Sequence, residues 1–321
     1  MAAIDLFSST NRPDEGLFYS RNDPNDVRMG ESIVRWREQF ARCQVVILGC
    51  PQDEGVARNR GRVGAKLAPT EIRRAFYRMS RPAPLESIRL FDLGDLLLKP
   101  TLEATHNLQY EVVRALLKEG KIVISLGGGN DIAYPDCKAA AKQFGRVLAF
   151  NIDAHLDVRA DEPPNSGTPY RQLLEEKHLA PELFHEVGIQ PLANSPTYLE
   201  YARERRISMH TLAEIQERGI DEVFRGPLSA TQVKAVFWGF DLDSVRASDA
   251  PGVSAPSPVG LTAEQICRIG VLAGRDSRTR LIEFSEVNPT VDLDGRTSRL
   301  AALVLMNALV EMAGRWKGSW E

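Results

Sequence analysis

The stretch RVLAFNIDAHLDVR, residues 146–159, decides the fold. Its first half, from Val147 to Ile152, is a compact apolar run of the length expected for a buried strand. Its second half turns abruptly polar, with Asp153, His155 and Asp157 alternating with Ala154 and Leu156. In an extended backbone that alternation sends all three polar side chains to one side, where they can share a centre. Similar apolar runs recur at QVVILGC (44–50), KIVISL (121–126), LFHEVGI (183–189), KAVFWGFDLD (234–243) and RLIEFSEV (280–287). Between them, Thr101 to Glu119, Leu261 to Ala273 and Ser298 to Ala313 carry helical spacing. Strands alternating with helices require crossover connections, which predicts a three-layer α/β/α domain with a mostly parallel central sheet. Neither a repeat nor a linker interrupts the chain, so residues 1–321 read as a single domain. Residues 1–40, with Pro, Asp and Asn clustered in NRPDEG and NDPND, read as an irregular surface arm.

An open parallel sheet places ligands beyond the carboxyl ends of its strands. Polarity gathers at four such ends: GGGND after KIVISL, DAHLD after RVLAFNI, DLD after VFWGF, and SEVNP after LIEF. Asp241 and Asp243 repeat the alternating device on a second strand, with Leu242 turned the other way. Together with Asp153, His155 and Asp157 they make four carboxylates and one imidazole. Burying four carboxylates near one another costs many kcal/mol or forces protonation unless cations neutralise them. Hard oxygen donors with one imidazole and no thiolate suit Mn²⁺ or a similar ion, and bridging carboxylates allow two ions side by side. For any one of these acids a helix cap or solvated turn is the blander explanation. Two alternating acidic clusters on separate strands favour the metal.

Composition narrows the function classes further. The formal net charge of -3, from 40 Lys+Arg against 43 Asp+Glu, gives no reason to expect nucleic acid or anionic lipid as a partner. Cys43, Cys50, Cys137 and Cys267 lack CxxC spacing and read as reduced interior thiols. The start lacks a cationic segment followed by an apolar run, and the longest apolar stretch, Ala301 to Val310, is interrupted by Asn307, so no membrane is expected and the cytoplasm is the expected location. Gly127 to Gly129 match neither GxGxxG nor GxxxxGK, and read as tight backbone passage beside the metal site. His106, His178, His185 and His210 fall outside the motifs and read as surface or satisfied core histidines, although His178 or His185 could approach a pocket through a long loop.

DAHLD, FDLD, GGGND and EVNP resemble the ureohydrolases, a family that includes arginase, agmatinase and formimidoylglutamase, over roughly residues 44 to 310. The resemblance implies a di-manganese cluster held by Asp153, His155, Asp157, Asp241 and Asp243, bridged by Asp153 and Asp241. It also places Asn130 where the family's GGGH or GGDH carries a ligand histidine, and a neutral carbonyl oxygen there weakens that ion's site. CPQDEGVARNRGRVGA (50–65) and SGTPYRQ (166–172) are most similar to formimidoylglutamases. The function so implied is hydrolysis of the formimino group of N-formimino-L-glutamate to L-glutamate and formamide, in histidine degradation, by a cytoplasmic homo-oligomer of three or six copies. Asp157 is then the hydrogen-bond acceptor and proton carrier beside the attacking oxygen, and Glu286 the acid facing the cationic amidine. Such a substrate needs arginines for its carboxylates, for which Arg58, Arg62, Arg159 and Arg171 are candidates, with Asn59 and Ser166 beside them. The competing readings are another ureohydrolase, acting on arginine, agmatine or a guanidino acid, and a metal-poor homologue kept for binding or assembly, marked by Asn130.

Overall fold

A computed structural model describes residues 4–316. Among the described residues nine strands form one sheet: β1 (Thr10–Asn11), β2 (Val45–Gly49), β3 (Leu90–Leu96), β4 (Ile122–Leu126), β5 (Val147–Ile152), β6 (Phe184–Ile189), β7 (Ser208–Thr211), β8 (Ala235–Asp241) and β9 (Thr279–Ser285). They lie in the order β1-β3-β2-β4-β9-β8-β5-β6-β7, every neighbouring pair parallel except β1 with β3. The two-residue periodicity of a strand divides the core between the faces. Val45 and Ile47 of β2 join one apolar cluster with Ile72, Phe76, Ile266 and Leu305, whereas Val46 and Leu48 join the other with Val112, Leu116, Cys137 and Tyr170. Helices Ala68–Tyr77, Ala263–Arg275 and Arg296–Ala313 thus cover one face, and Leu102–Lys118, Ala133–Phe144 and Pro169–Glu175 the other. This is the expected three-layer α/β/α architecture.

The six strands and three helices expected from sequence are all present, with ends shifted by at most two residues. Three strands escaped. β1 is two residues long, and β7 is a half-buried edge strand with little apolar signal. β3 contains Asp92, Gly94 and Asp95, residues that ordinarily argue against a central strand. Asp92 is nevertheless buried, because Arg73 from helix Ala68–Tyr77 neutralises it. Residues 4–40 are irregular as expected, but the segment is not merely a surface arm. Thr10–Asn11 pairs with β3, and Leu6, Leu17, Met29, Ile33 and Phe40 are buried. No described helix is long and apolar enough to cross a membrane.

The order of the strands is what assembles a site. β8 and β9, the last two in the chain, insert between β4 and β5, so the four polar strand ends become spatial neighbours in the sequence β4, β9, β8, β5.

Candidate functional site

The polar residues after β5 converge by a route other than simple alternation. β5 ends at Ile152, and Asp153 Oδ1 accepts the backbone N–H of His155 at 2.7 Å, closing a tight turn. Asp157 sits at φ 47, a left-handed conformation in which Asp is better tolerated than most residues. Asn194 clamps this turn: its Oδ1 accepts from Leu156 N at 2.9 Å and its Nδ2 donates to Ala154 O at 2.9 Å. Asp241 ends β8, and its Oδ1 accepts Asp243 N at 2.9 Å, so Asp243 lies in a 3-10 turn beyond the strand.

Two sets of donors result. One ligand atom each from Asp153, His155 and Asp243 lie within 4.8 Å of one another, as do those from Asp153, Asp157 and Asp241. Asp153 is common to both sets, whereas Asp241 belongs to one. Burial, then repulsion from Asp243, raises the pKa of Asp153 and Asp241, and burial followed by the Asp153 charge raises that of Asp157. The charge of Asp243 is the main influence pushing His155 up to about 12. His155 Nδ1 lies 3.3 Å from Asp153 Oδ1 and from Asp243 Oδ1. Acids crowded so closely, with one imidazole between them, fit divalent cations of the hard, manganese-like kind.

Asn130 does not present its carbonyl oxygen to this centre. Its Nδ2 donates to Asp157 Oδ2 at 2.7 Å and to Asp153 Oδ2 at 3.2 Å, and its Oδ1 accepts from Ser285 Oγ at 3.1 Å. An amide nitrogen cannot bind a cation, so ligation by Asn130 requires the amide to turn over. Ser285 can accept as well as donate, and so can partner either orientation. Glu286, at φ 61, accepts the backbone N–H of Asn130 at 2.8 Å, and burial pushes its carboxyl up to about 8. Behind the acids, Asn151 Nδ2 bridges Asp153 Oδ2 at 3.2 Å and Glu186 Oε2 at 2.9 Å.

A cavity of about 330 Å³ opens above this floor. His155, Asp157, Asp241, Asp243 and Glu286 line its acidic end, and Asn59, Arg62, Arg159 and Ser166 other parts of its wall. The segment that carries Asn59 and Arg62 is tied down on several sides. Asn59 Nδ2 donates to Ser166 Oγ at 3.0 Å, Ser166 N donates to Gly55 O at 3.1 Å, and Asn288 Nδ2 donates to the carbonyls of Arg62 and Val63. Gly64, at φ 141, permits the last contact, since a Cβ there would stand 2.0 Å from Asn288 Oδ1.

Three of the four arginines singled out from sequence are engaged elsewhere. Arg58 pairs with Glu54 and Glu103 and donates to Pro164 O, outside the central cavity. Arg62 reaches the wall but spends its guanidinium on the carbonyls of Val253 and Ser254. Arg171 pairs with Glu175 and stacks on Tyr201. Of the four, Arg159 lines the cavity with no side-chain partner among the described residues. Of the other histidines, His106 is buried 2.7 Å from Asp131 and braces the loop that holds Asn130, while neither His178 nor His185 lines the cavity. Sequence reasoning missed Arg60, Asn194, Tyr198 and Ser254, which all line it. The RNRGR run could have flagged Arg60, but the other three carry no distinctive local signal.

Comparison with known proteins fits this geometry. Residues 43–310 match the Arginase family. The formimidoylglutamase of Rhodococcus opacus is 34% identical over 84% of this chain and 88% of its own. The structure of Trypanosoma cruzi formiminoglutamase with Mn²⁺ superposes with a TM-score of 0.83 at 33% identity, covering 90% of this chain and 99% of that one. Formimidoylglutamase from Bacillus subtilis gives a TM-score of 0.85 at 30% identity, over 92% and 94% of the two chains.

Proposed function

This chain belongs to the arginase family, and on that premise we propose that it hydrolyses the formimino group of N-formimino-L-glutamate to L-glutamate and formamide. Its similarity to formimidoylglutamases over most of both chains supports that substrate. The observation that carries the chemistry is the pair of donor sets sharing Asp153 at the floor of a cavity that also holds Glu286.

In this reading Asp153, His155, Asp157, Asp241 and Asp243 hold two Mn²⁺ ions, and the site beside Asn130 is the weaker. Ions bound there supply the positive charge that lets the acids ionise and lowers the pKa of water, giving a nucleophile near neutral pH. The chain's own groups do the rest. Glu286 faces the cationic nitrogen end of the amidine and steadies it as the planar carbon becomes tetrahedral. Asp157 accepts a proton from the attacking oxygen and passes it to the glutamate nitrogen as the C–N bond breaks. The oxygen of water leaves in formamide, and the amine leaves as glutamate. Arg159, Asn59 and Ser166, which line the wall, receive the substrate's polar tail in this reading, whereas Arg58 and Arg171 are committed to other partners.

Assaying N-formimino-L-glutamate, arginine, agmatine and guanidinobutyrate side by side with Mn²⁺ tests this. Formamide release from the first at a kcat/KM well above the other three is the expected result. Urea release from a guanidine at the higher rate overturns it. Absence of both metal uptake and turnover across the panel leaves the metal-poor homologue standing.

A further inference from the structure

The cavity carries both signs of charge: Asp157, Asp241, Asp243 and Glu286 line it, and so do Arg60, Arg62 and Arg159. Five arginines lie at or near it, of which Arg58, Arg62 and Arg171 are committed to carboxylates, carbonyls or a ring. Among the described residues, the side chains of Arg60 and Arg159 meet no acid, carbonyl or aromatic partner. Both line the central cavity, and both line a second cavity of about 500 Å³ together with Arg58, Asn59, Asp161, Glu162 and Asn165. They therefore stand where the two cavities adjoin.

The backbone fixes where Arg60 stands. Arg60 sits at φ 61, in the left-handed region where an arginine is strained. Its N–H donates to Ala57 O at 3.0 Å and that of Gly61 donates to Val56 O at 2.9 Å, and these two bonds close the turn. A glycine is present in this turn, but it stands next to the left-handed position rather than in it. The two hydrogen bonds are those of a helix C-terminal cap after Glu54–Arg58, with Arg60 at its left-handed position. The cap leaves an exposed guanidinium, without a partner among the described residues, on the wall of a cavity that Asp157, Asp241, Asp243 and Glu286 also line.

We propose that Arg60 is a specificity-determining residue that binds the carboxylates of the substrate's anionic tail, with Arg159 as its companion, while the cationic head lies against the acids. This rests on the N-formimino-L-glutamate reading and deepens it. A guanidinium binds a carboxylate through two parallel N–H donors, which suits a dicarboxylate tail and gives nothing to an uncharged one.

The test compares N-formimino-L-glutamate with N-butylformamidine, which carries the same head and no carboxylate, on the Mn²⁺-loaded full chain. Arg60→Gly removes the guanidinium and relieves the strained backbone. Arg60→Asn, a residue that tolerates the left-handed conformation, is the second variant. The ratio of kcat/KM for the two substrates should fall roughly 10- to 100-fold in both variants, chiefly through KM for the dicarboxylate. The melting temperature of Arg60→Gly should stay level or rise, which separates lost recognition from a damaged fold. Ratios unmoved in folded, metal-loaded variants, with the wild type hydrolysing N-formimino-L-glutamate, overturn the assignment of Arg60 alone. A wild type that ignores N-formimino-L-glutamate overturns the underlying function and this role together.

Discussion

Two of the places where the molecule buries acids treat them in opposite ways. On β3, Asp92 is met by Arg73, whose Nε and Nη2 lie 2.8 and 3.0 Å from its two oxygens, with Tyr77 hydroxyl as a further donor. Arg73 also reaches Asp95 at 2.5 Å and Gly94 O at 3.0 Å. That charge is balanced within the chain. Beyond β5 and β8, Asp153, Asp157, Asp241 and Asp243 share one imidazole and the amide of Asn130. Burial and mutual repulsion raise Asp153, Asp157 and Asp241. The difference teaches that the fold can supply a buried cation where it needs one for stability. Beyond β5 and β8 it supplies none, and the clustered acids there are arranged for cations taken from solution.

The largest effect expected from this contrast is at Asp153, the residue common to both donor sets. Asp153→Asn should cut kcat/KM by more than about 1,000-fold, given the several kcal/mol a metal contributes to such a transition state. Metal content by elemental analysis should fall with it, while the metal-free variant melts no lower than the metal-free parent because one repelling charge has gone. Full metal content in the variant would break the comparison. At the balanced site the sign for stability reverses. Arg73→Met leaves Asp92 buried without its cation and should cost about 3–5 kcal/mol in urea unfolding, with no rescue by Mn²⁺. A variant restored by Mn²⁺ would show that the two regions are not independent. The smallest effect sharpens the ligand set: Asn130→His should lower the Mn²⁺ concentration needed for half-maximal activity, by roughly tenfold on the scale of ligand-sphere changes. An unchanged requirement would remove Asn130 from the metal's surroundings.

Much of the fold and of the acidic centre was legible in the chain because the signals are local. Apolar runs such as Ile122–Leu126 and Ala235–Asp241 announce buried strands without reference to anything distant. The polar residues that come after them mark the strand ends at which ligands bind. β3 was not legible, since Asp92 becomes compatible with a central strand only through Arg73, nineteen positions earlier. Nor was the turn at Asp153 to Asp157. Alternation correctly grouped its side chains, but the grouping is made by the Asp153 to His155 hydrogen bond and the left-handed Asp157 rather than by an extended strand. The arginines show the limit most clearly. Arg58 and Arg60 are two positions apart and alike in composition, yet Glu54 and Glu103 occupy the first while the second meets no partner among the described residues.

By itself, then, the sequence determined the layered α/β class, the residue types of an acid-rich centre and the strand ends that carry them, because periodicity and side-chain chemistry act over a few residues. Tertiary structure alone decided that β8 and β9 return between β4 and β5, which brings Asp241, Asp243 and Glu286 beside Asp153 and Asn130. It also decided which arginines remain free to meet a ligand. Both depend on the partners that distant segments supply on packing, and no local pattern encodes a partner's absence.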